Sequence, residues 1–460
     1  MPHLGTPAAP GLTRRMLLSS LAAAPLARRA GAAAADDYRI YTQPPRLFLN
    51  PRRLRLLRRE RERDSMRWRQ FDALLAGGVR MPEEGFAWAL HYQASQNPAS
   101  GKRAVDWALN DPHAGLRQLA LVYDWCQELL DSRQRTVLAG RLRRELAAAP
   151  PAGISATRSR VLAAAALAGD APGDAAAELR RVIEDWWEKR IAPGLKSGAQ
   201  PIPRTETLAL FELLHAVRDN TQIELRDGAR RYFASLPFYH LLSYYPATYP
   251  AAENDYRIPA FTGAGQPDLE RAALSRAAEL AMVAYDTNAE ENQFLQGWLI
   301  HDRFLLRGPF GIPYEYLWAN PYQPGLSYTH VPLLHHEPAA GRLFIRSSWD
   351  EDAVWFGLFD GEMQVFEQGA ITVLDPRRPR EALAIGDVTL LFGERGMKFN
   401  QGREPSGKFF ILGLKPGAVY NVEVDDEELR QERADSGGTL PLSFPPGGTA
   451  GVRLYPPRWP

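Results

Sequence analysis

Two hydrophobic periods divide the chain. From Phe86 to Arg303 apolar residues recur every three or four positions, the spacing of amphipathic helices. Beyond Gly341 they alternate, or form short runs between Gly, Pro and Asp, as strands do. In the first region Leu116, Leu119, Ala120, Tyr123 and Leu130 share one helical face behind Asp111-Pro112. Ser132 opens a helix carrying Leu138, Leu142 and Leu146, which Pro150-Pro151 stops. About eleven helices and no strand are expected up to Arg303. The helix from Thr205 bears Leu208 and Phe211 on one face and Leu210, Leu213, Leu214 and Val217 on another, so it belongs between two layers of protein. Paired helices of this kind predict a double-layered α/α toroid.

In the second region the stretch from Arg342 to Leu374 reads as strand, turn, strand, loop, strand, with strands at 342–348, 353–359 and 370–374. Further strands are expected at 387–392, 408–412, 419–424, 439–444 and 452–455. About eight antiparallel strands at this spacing predict a β-sandwich. The expected fold class is α+β and multidomain, an incomplete α/α toroid over residues 36–330 followed by an antiparallel β-sandwich over 331–460. Two irregular segments rich in aromatic and polar residues, Tyr244 to Phe261 and Gly308 to His330, border the junction. Clefts form preferentially where such regions meet.

Composition narrows the class. A chain of 460 residues exceeds what one core organises, and 45% hydrophobic with 24% charged residues is that of a soluble globular protein. Residues 1–35 hold Arg14, Arg15, Arg28 and Arg29 but no lysine and no acid, so without these four charges the formal net charge falls from +1 to −3. That near-neutral balance supplies no argument for a nucleic-acid partner. Arg14-Arg15 before a short apolar run, with Ala33-Ala34-Ala35 behind it, reads as a twin-arginine signal peptide over residues 1–35. Export to the periplasm or the exterior is therefore expected, with no membrane span in the mature protein, since no later stretch reaches about 20 apolar residues. The single Cys126 sits at helical spacing with Leu119 and Leu130 and reads as a buried small hydrophobe.

The arginine-rich helix that Asn50 caps, Pro51 opens and Gly77-Gly78 stops, with its arginines between Arg52 and Arg69, changes this picture little. Its interleaved Glu60, Glu62 and Asp64 offer charge pairs, so a solvated outer face is expected.

The candidate chemistry lies elsewhere. Tyr256 stands among Glu253, Asn254, Asp255 and Arg257, with Tyr249 in the same segment. Tyrosine serves as acid and base while Asn254 and Arg257 engage a carboxylate; a loop tied by its own Asx turns accounts for the same residues. His240, near the end of its helix, either faces the cleft or answers the helix dipole. His215 falls at helical spacing from Phe211 and Leu208 and reads as a packing histidine. His330, His335 and His336 lack tetrahedral ligand spacing, and neighbours on an extended segment point oppositely, so no metal and no cofactor is expected. Glu206 and Glu367 are the carboxylates that a hydrolase would pair.

Several stretches resemble a known family. Leu116 to Trp125, LRQLALVYDW, is similar to a helix of the heparinase II/III-like polysaccharide lyases and their alginate-lyase relatives. Tyr92-Gln93 and Ala104-Val105-Asp106-Trp107 resemble that family's first toroid helices, and Arg346-Ser347-Ser348-Trp349 with Gln368-Gly369-Ala370 its first sandwich strands. The resemblance extends over most of residues 45–455. It implies β-elimination of a uronic-acid polysaccharide, with tyrosine and histidine as acid and base and an asparagine or cation neutralising the carboxylate. On this chain that implies Tyr256, His240 and Glu367 converging on one cleft, with Asn254, Arg257, Glu253 and Tyr249 binding an acidic polysaccharide or oligosaccharide. Three family positions differ. Gly153-Ile154-Ser155-Ala156-Thr157 stands where an Asn-His pair belongs, Pro201 to Glu206 where a Gly-rich acidic segment belongs, and Met363 to Gly369 where histidines belong. A catalytically inactive glycan-binding or envelope protein on the same scaffold, and a hydrolase using paired carboxylates, are the alternatives.

Overall fold

Fourteen α-helices, six 3-10 or π segments and fifteen strands occur among the described residues of the computed structural model, which are 39–150, 152–250, 255–302, 308–375, 378, 381–393, 397–401, 407–424, 428–444 and 448–455. The twin-arginine stretch and the segment holding Glu253 and Asn254 lie outside them. The helices are α1 (Pro51–Glu62), α2 (Met66–Ala76), α3 (Glu84–Ser95), α4 (Pro98–Asn110), α5 (Leu116–Trp125), α6 (Ser132–Ala148) and α7 (Gly153–Ala166). There follow α8 (Pro172–Arg180), α9 (Ala192–Ser197), α10 (Thr207–Thr221), α11 (Arg230–Leu242), α12 (Leu269–Tyr285), α13 (Glu290–Asp302) and α14 (Gly311–Trp318). None is long and apolar enough to cross a membrane.

The helices form two layers. In order, α3, α5, α7, α10, α12 and α14 each pack against the next, and α14 returns to α2 and α3, so the inner layer is a ring. Outside it α4 lies on α3 and α5, α6 on α5 and α7, α8 on α7, and α13 on α12 and α11. The two-faced apolar pattern of α10 has the expected consequence, since all but its last turn is buried. His215 there stacks on Trp318 at 4.5 Å, and its Nε2 lies 3.0 Å from the Ala281 carbonyl.

Ion pairs fill the middle of the ring. Arg117 of α5 donates Nε to Glu212 of α10 at 2.9 Å, Arg158 of α7 donates to the same carboxylate, and Arg117 Nη1 reaches Glu83 at 2.8 Å. Two cations thus face two anions, which is what buried charges require. The Tyr123-Asp124-Trp125 end of α5 ties down the preceding extended segment. Asp124 accepts from the backbone of Arg46 and Leu47 at 2.8 and 2.9 Å, and the Trp125 indole donates to the Leu47 carbonyl at 2.8 Å. Cys126 is fully buried, and burial pushes its thiol up.

One hairpin interrupts the helices, contrary to the expectation of no strand there. Its strands β1 (Tyr244–Pro250) and β2 (Asp255–Pro259) pair antiparallel between α11 and α12. The remaining strands are β3 (Leu334–Glu337), β4 (Arg342–Arg346), β5 (Trp355–Phe359), β6 (Glu362–Glu367), β7 (Ala370–Leu374), β8 (Leu383–Ile385) and β9 (Val388–Phe392). The last six are β10 (Met397–Gln401), β11 (Gly407–Leu412), β12 (Val419–Val424), β13 (Glu428–Arg433), β14 (Leu440–Phe444) and β15 (Gly448–Tyr455).

These build three stacked sheets, in the orders β3-β4-β5-β6-β7, β14-β11-β9-β8 and β10-β15-β12-β13. All pairs are antiparallel except β9 with β11. Side chains alternate faces along a strand, and the middle sheet uses both. Leu390, Phe392, Phe410 and Leu412 pack on Leu343, Ile345, Phe356 and Leu358 of the first sheet. Leu391, Phe409 and Ile411 pack on Tyr420, Val422 and Leu454 of the third. A sheet covered on both faces explains why VTLLF and FFIL read as unbroken apolar runs. Strand β6 stands where the sequence pattern predicts a loop between the strands at 353–359 and 370–374. Asp360 and Gly361 have φ of 49° and 78°, the two-residue hairpin turn that joins β5 directly to β6.

The outer face of the first sheet meets the helices. Trp355 donates Nε1 to the Leu242 carbonyl at 2.8 Å, and Tyr245 of the hairpin donates to Gln364 at 2.6 Å. Strands β4 and β5, buried along their whole length, therefore lie between the helical ring and the other sheets, whereas β7 is largely exposed.

Candidate functional site

Where the first sheet abuts α11 and α12 the surface opens into a cleft of about 1000 Å³. Helical residues Arg204, Tyr239, Ser243 and Ser275 form one side, and Arg342, Phe344 and Asp360 of the sheet form the other. The rim is completed by Ile258 and Pro259 of the hairpin and by Gln266.

Two guanidinium groups, one from each side, flank one aromatic ring. Arg204 Cζ lies 5.7 Å and Arg342 Cζ 4.7 Å from the centre of the Tyr239 ring. Both arginine side chains are about nine-tenths buried, so what each still exposes is open to the cleft. Burial alone would lower their pKa; Tyr239 with Glu337 and Asp360 outweighs it for Arg342, and Tyr244 and Glu279 do so for Arg204. Both remain cationic.

Behind this wall Glu279 of α12 acts as a hub. Its Oε1 accepts from Arg204 Nη2 at 2.8 Å and from the Tyr244 hydroxyl at 2.9 Å, and lies 3.0 Å from His240 Nδ1. Burial would raise the Glu279 carboxyl, but His240, Arg204 and Arg276 outweigh it and hold it down. His240 is wholly buried, and burial together with Arg204 lowers its pKa to about 4. Near neutral pH the pair is thus a carboxylate beside a neutral imidazole. An ionised carboxylate only accepts, so the imidazole proton sits on Nδ1 and the Nε2 lone pair has no hydrogen-bond partner among the described residues.

The residues singled out from sequence fall as follows. His240 is enclosed beside the cleft and does not line it, whereas its neighbour Tyr239 does. Glu367 is exposed at the β6–β7 turn, opposite Ala370, so His240 and Glu367 do not converge. Glu206 accepts from the backbone and hydroxyl of Ser155 at 3.0 and 2.8 Å, capping the start of α7. Tyr249 donates to Gln266 on the cleft rim. Arg257 donates to the Pro246 carbonyl at 2.5 Å and to Glu351 at 2.9 Å, which fastens the hairpin to the sheet. Tyr256 pairs across the hairpin with Tyr249 on the backbone, and its side chain lies outside the described residues, as do Glu253 and Asn254. His336 Nε2 lies 2.8 Å from Asp435 and His335 Nε2 lies 3.3 Å from Glu337, so these neighbours have separate partners.

Tyr239, Arg204 and Arg342 are not among the residues that the sequence pattern singles out. Arg204 sits in the Pro201 to Glu206 stretch that departs from the family pattern, and Arg342 opens the strand that looked purely structural. The available signal was three long polar side chains at the ends of elements that border the junction.

No family model matches the chain, and no curated protein matches it. Among solved structures, one described as a glycoside hydrolase is similar at a TM-score of 0.31 and 10% identity, over 81% of this chain and 71% of that one.

Proposed function

We propose that the protein cleaves uronic-acid-containing polysaccharide by β-elimination, with Tyr239 moving the proton and Arg204 and Arg342 holding the sugar carboxylate. The observation that carries this reading is the Tyr239 ring flanked by two guanidinium groups on the cleft wall.

Elimination needs negative charge on the carboxylate to be stabilised as the adjacent C–H bond breaks. The electron pair of that bond forms a carbon–carbon double bond, the bond from the next ring carbon to the glycosidic oxygen breaks, and that oxygen leaves with a proton. Fixed, largely buried cations on the cleft wall suit the first requirement, and a tyrosine hydroxyl can exchange the protons. Glu279 is a positioning residue, because it fixes Arg204. The resemblance to the heparinase II/III-like lyases supports the same chemistry, with Tyr239 in the role first expected of Tyr256.

A second reading is binding without cleavage. The enclosure of His240 favours it, since a buried imidazole cannot touch a sugar.

The test is to incubate the purified protein with alginate, heparan sulfate, hyaluronan and pectate and to identify the new chain ends. Unsaturated uronic ends from at least one polymer are expected. Saturated ends would point to hydrolysis, and binding without new ends would point to the second reading.

A further inference from the structure

The arginine-rich helix α1 does not present a simple solvated face. It lines a groove of about 1200 Å³ with the end of α12, the end of α14 and the loop that follows. Helices α10 and α12 run from the junction cleft to this groove. On α12 Ser275 lines the cleft and Tyr285 the groove, and Thr205, just before α10, and Arg218 within it do the same. At 1.5 Å per residue the two openings are separated by roughly 15–20 Å of helix.

Six arginines of one run face the groove: Arg52, Arg53, Arg55, Arg58, Arg59 and Arg63. The exposed four, Arg52, Arg55, Arg59 and Arg63, are spaced as one stripe along the helix. Of the acids expected to offset them, Glu62 lines the groove itself without an ion pair among the described residues, and the others are engaged elsewhere. Glu60 pairs with Arg67 at 3.1 Å and Asp64 with Arg69 at 3.8 Å, and among the described residues none of the six is ion-paired. At the groove floor Arg53 and Arg218 share one nearby carboxylate, Asp219, and burial followed by Arg218 pulls Arg53 down to about 10 despite it. Trp318, 2% exposed, lines the same floor with its indole Nε1 lacking a hydrogen-bond partner. Two part-buried cations sharing one carboxylate, and a buried donor without a partner, mark a place that an anion would complete.

We propose that this groove is a second binding site for an acidic polysaccharide, at the end of the helical ring away from the junction cleft. The inference rests on the reading of that cleft only for the class of ligand. The stripe from Arg52 to Arg63 extends about 16 Å, which suits the repeated charges of a polymer better than one small anion. Guanidinium forks match carboxylate and sulfate oxygens in pairs. Single-stranded nucleic acid is the poorer fit, because bases need open ring faces on which to stack. Here Arg53 covers Trp318 at 4.3 Å and Arg218 covers Tyr285 at 3.7 Å, while Tyr322, beside Arg59 and Arg63 at 5.2 and 5.6 Å, is a single half-exposed ring with no second open ring among the described groove residues to continue a stack.

The test titrates the full chain carrying Tyr239→Phe, so that the polymer stays uncut, with alginate oligosaccharide by calorimetry at several salt concentrations. Two charge reversals on exposed positions, Arg52→Glu with Arg55→Glu and separately Arg59→Glu with Arg63→Glu, are compared at matched thermal midpoint. Each is expected to weaken binding by about tenfold or more and to flatten the salt dependence. Unchanged affinity in both folded variants would overturn the site. Duplex or single-stranded DNA bound as tightly as alginate, and lost in the same variants, would overturn the ligand class, and inorganic phosphate alone saturating the groove with equal affinity would overturn the polymer. Loss of binding in these variants stands whether or not the junction cleft makes unsaturated ends, so the two readings fail separately.

Discussion

His240 Nδ1 lies 3.0 Å from Glu279 Oε1, and neither side chain reaches solvent. The same carboxylate oxygen holds Arg204 at 2.8 Å, so one buried acid serves both the imidazole and the cleft wall. Replacing Glu279 by Gln would leave the buried Arg204 without its counter-charge. The expected cost is about 3–5 kcal/mol of unfolding free energy, the range for breaking one partner of a buried pair. Urea unfolding of Glu279→Gln beside the parent protein measures it, and a loss under about 1 kcal/mol would mean that the hub is not structural.

The depressed pKa of His240 sets a pH dependence. Its value is about 4 in the folded protein against about 6.5 when unfolded, so between these values the unfolded chain binds the extra proton. The contribution to stability is complete above about pH 6.5 and is lost as pH falls toward 4, up to about 3 kcal/mol. His215, also depressed by burial and by Arg53 and Arg218, acts in the same direction and remains in any variant at 240. The change expected in His240→Gln is a shallower fall in stability across that window, read by denaturant titration at several pH values.

Gly297 and Gly325 meet backbone to backbone where α13 supports the loop after α14. A Cβ on Gly297 would lie 1.8 Å from the Leu326 carbonyl oxygen, and one on Gly325 would lie 2.2 Å from the Gly297 nitrogen. No side-chain rotation relieves a clash with main chain. Gly297→Ala is expected to cost about 1–3 kcal/mol or more and to displace the loop carrying Tyr322. A crystal structure of the variant superimposable over residues 320–326 would contradict this.

Arg342 is the sheet's contribution to the cleft. Arg342→Ala removes one carboxylate partner of the proposed substrate, and charged hydrogen bonds of this kind are worth about 1.5–3 kcal/mol. Weakening of uronic oligosaccharide binding by about tenfold or more is expected, checked by calorimetry on the folded variant.

Most of the architecture is legible in the chain, and the particulars show why. Helical spacing in α5 and the two-faced α10 report burial directly, because a helix turns its apolar residues toward whatever covers them. The unbroken runs VTLLF and FFIL signal strands, yet only the structure tells that they form a middle layer with one parallel pair. Strand β6 hides behind the tight Asp360-Gly361 turn, and the hairpin β1–β2 behind a segment dense in tyrosine and proline; Tyr245 and Gln364 satisfy each other between the two. The cleft was legible as a location and not as a set of residues. Tyr239 and His240 are adjacent in sequence, but one faces the cavity and the other the interior, and the direction of a side chain depends on what packs around its helix.

The most direct test of the account is the ultraviolet absorbance of the conjugated double bond formed when the protein acts on alginate, compared with that of Tyr239→Phe. Absorbance is expected to rise with the parent protein, and the rate of that rise to fall by at least about a hundredfold in Tyr239→Phe with oligosaccharide binding retained. A variant that produces the double bond at the parent rate would contradict it, because the group placed between Arg204 and Arg342 would then have no part in moving the proton.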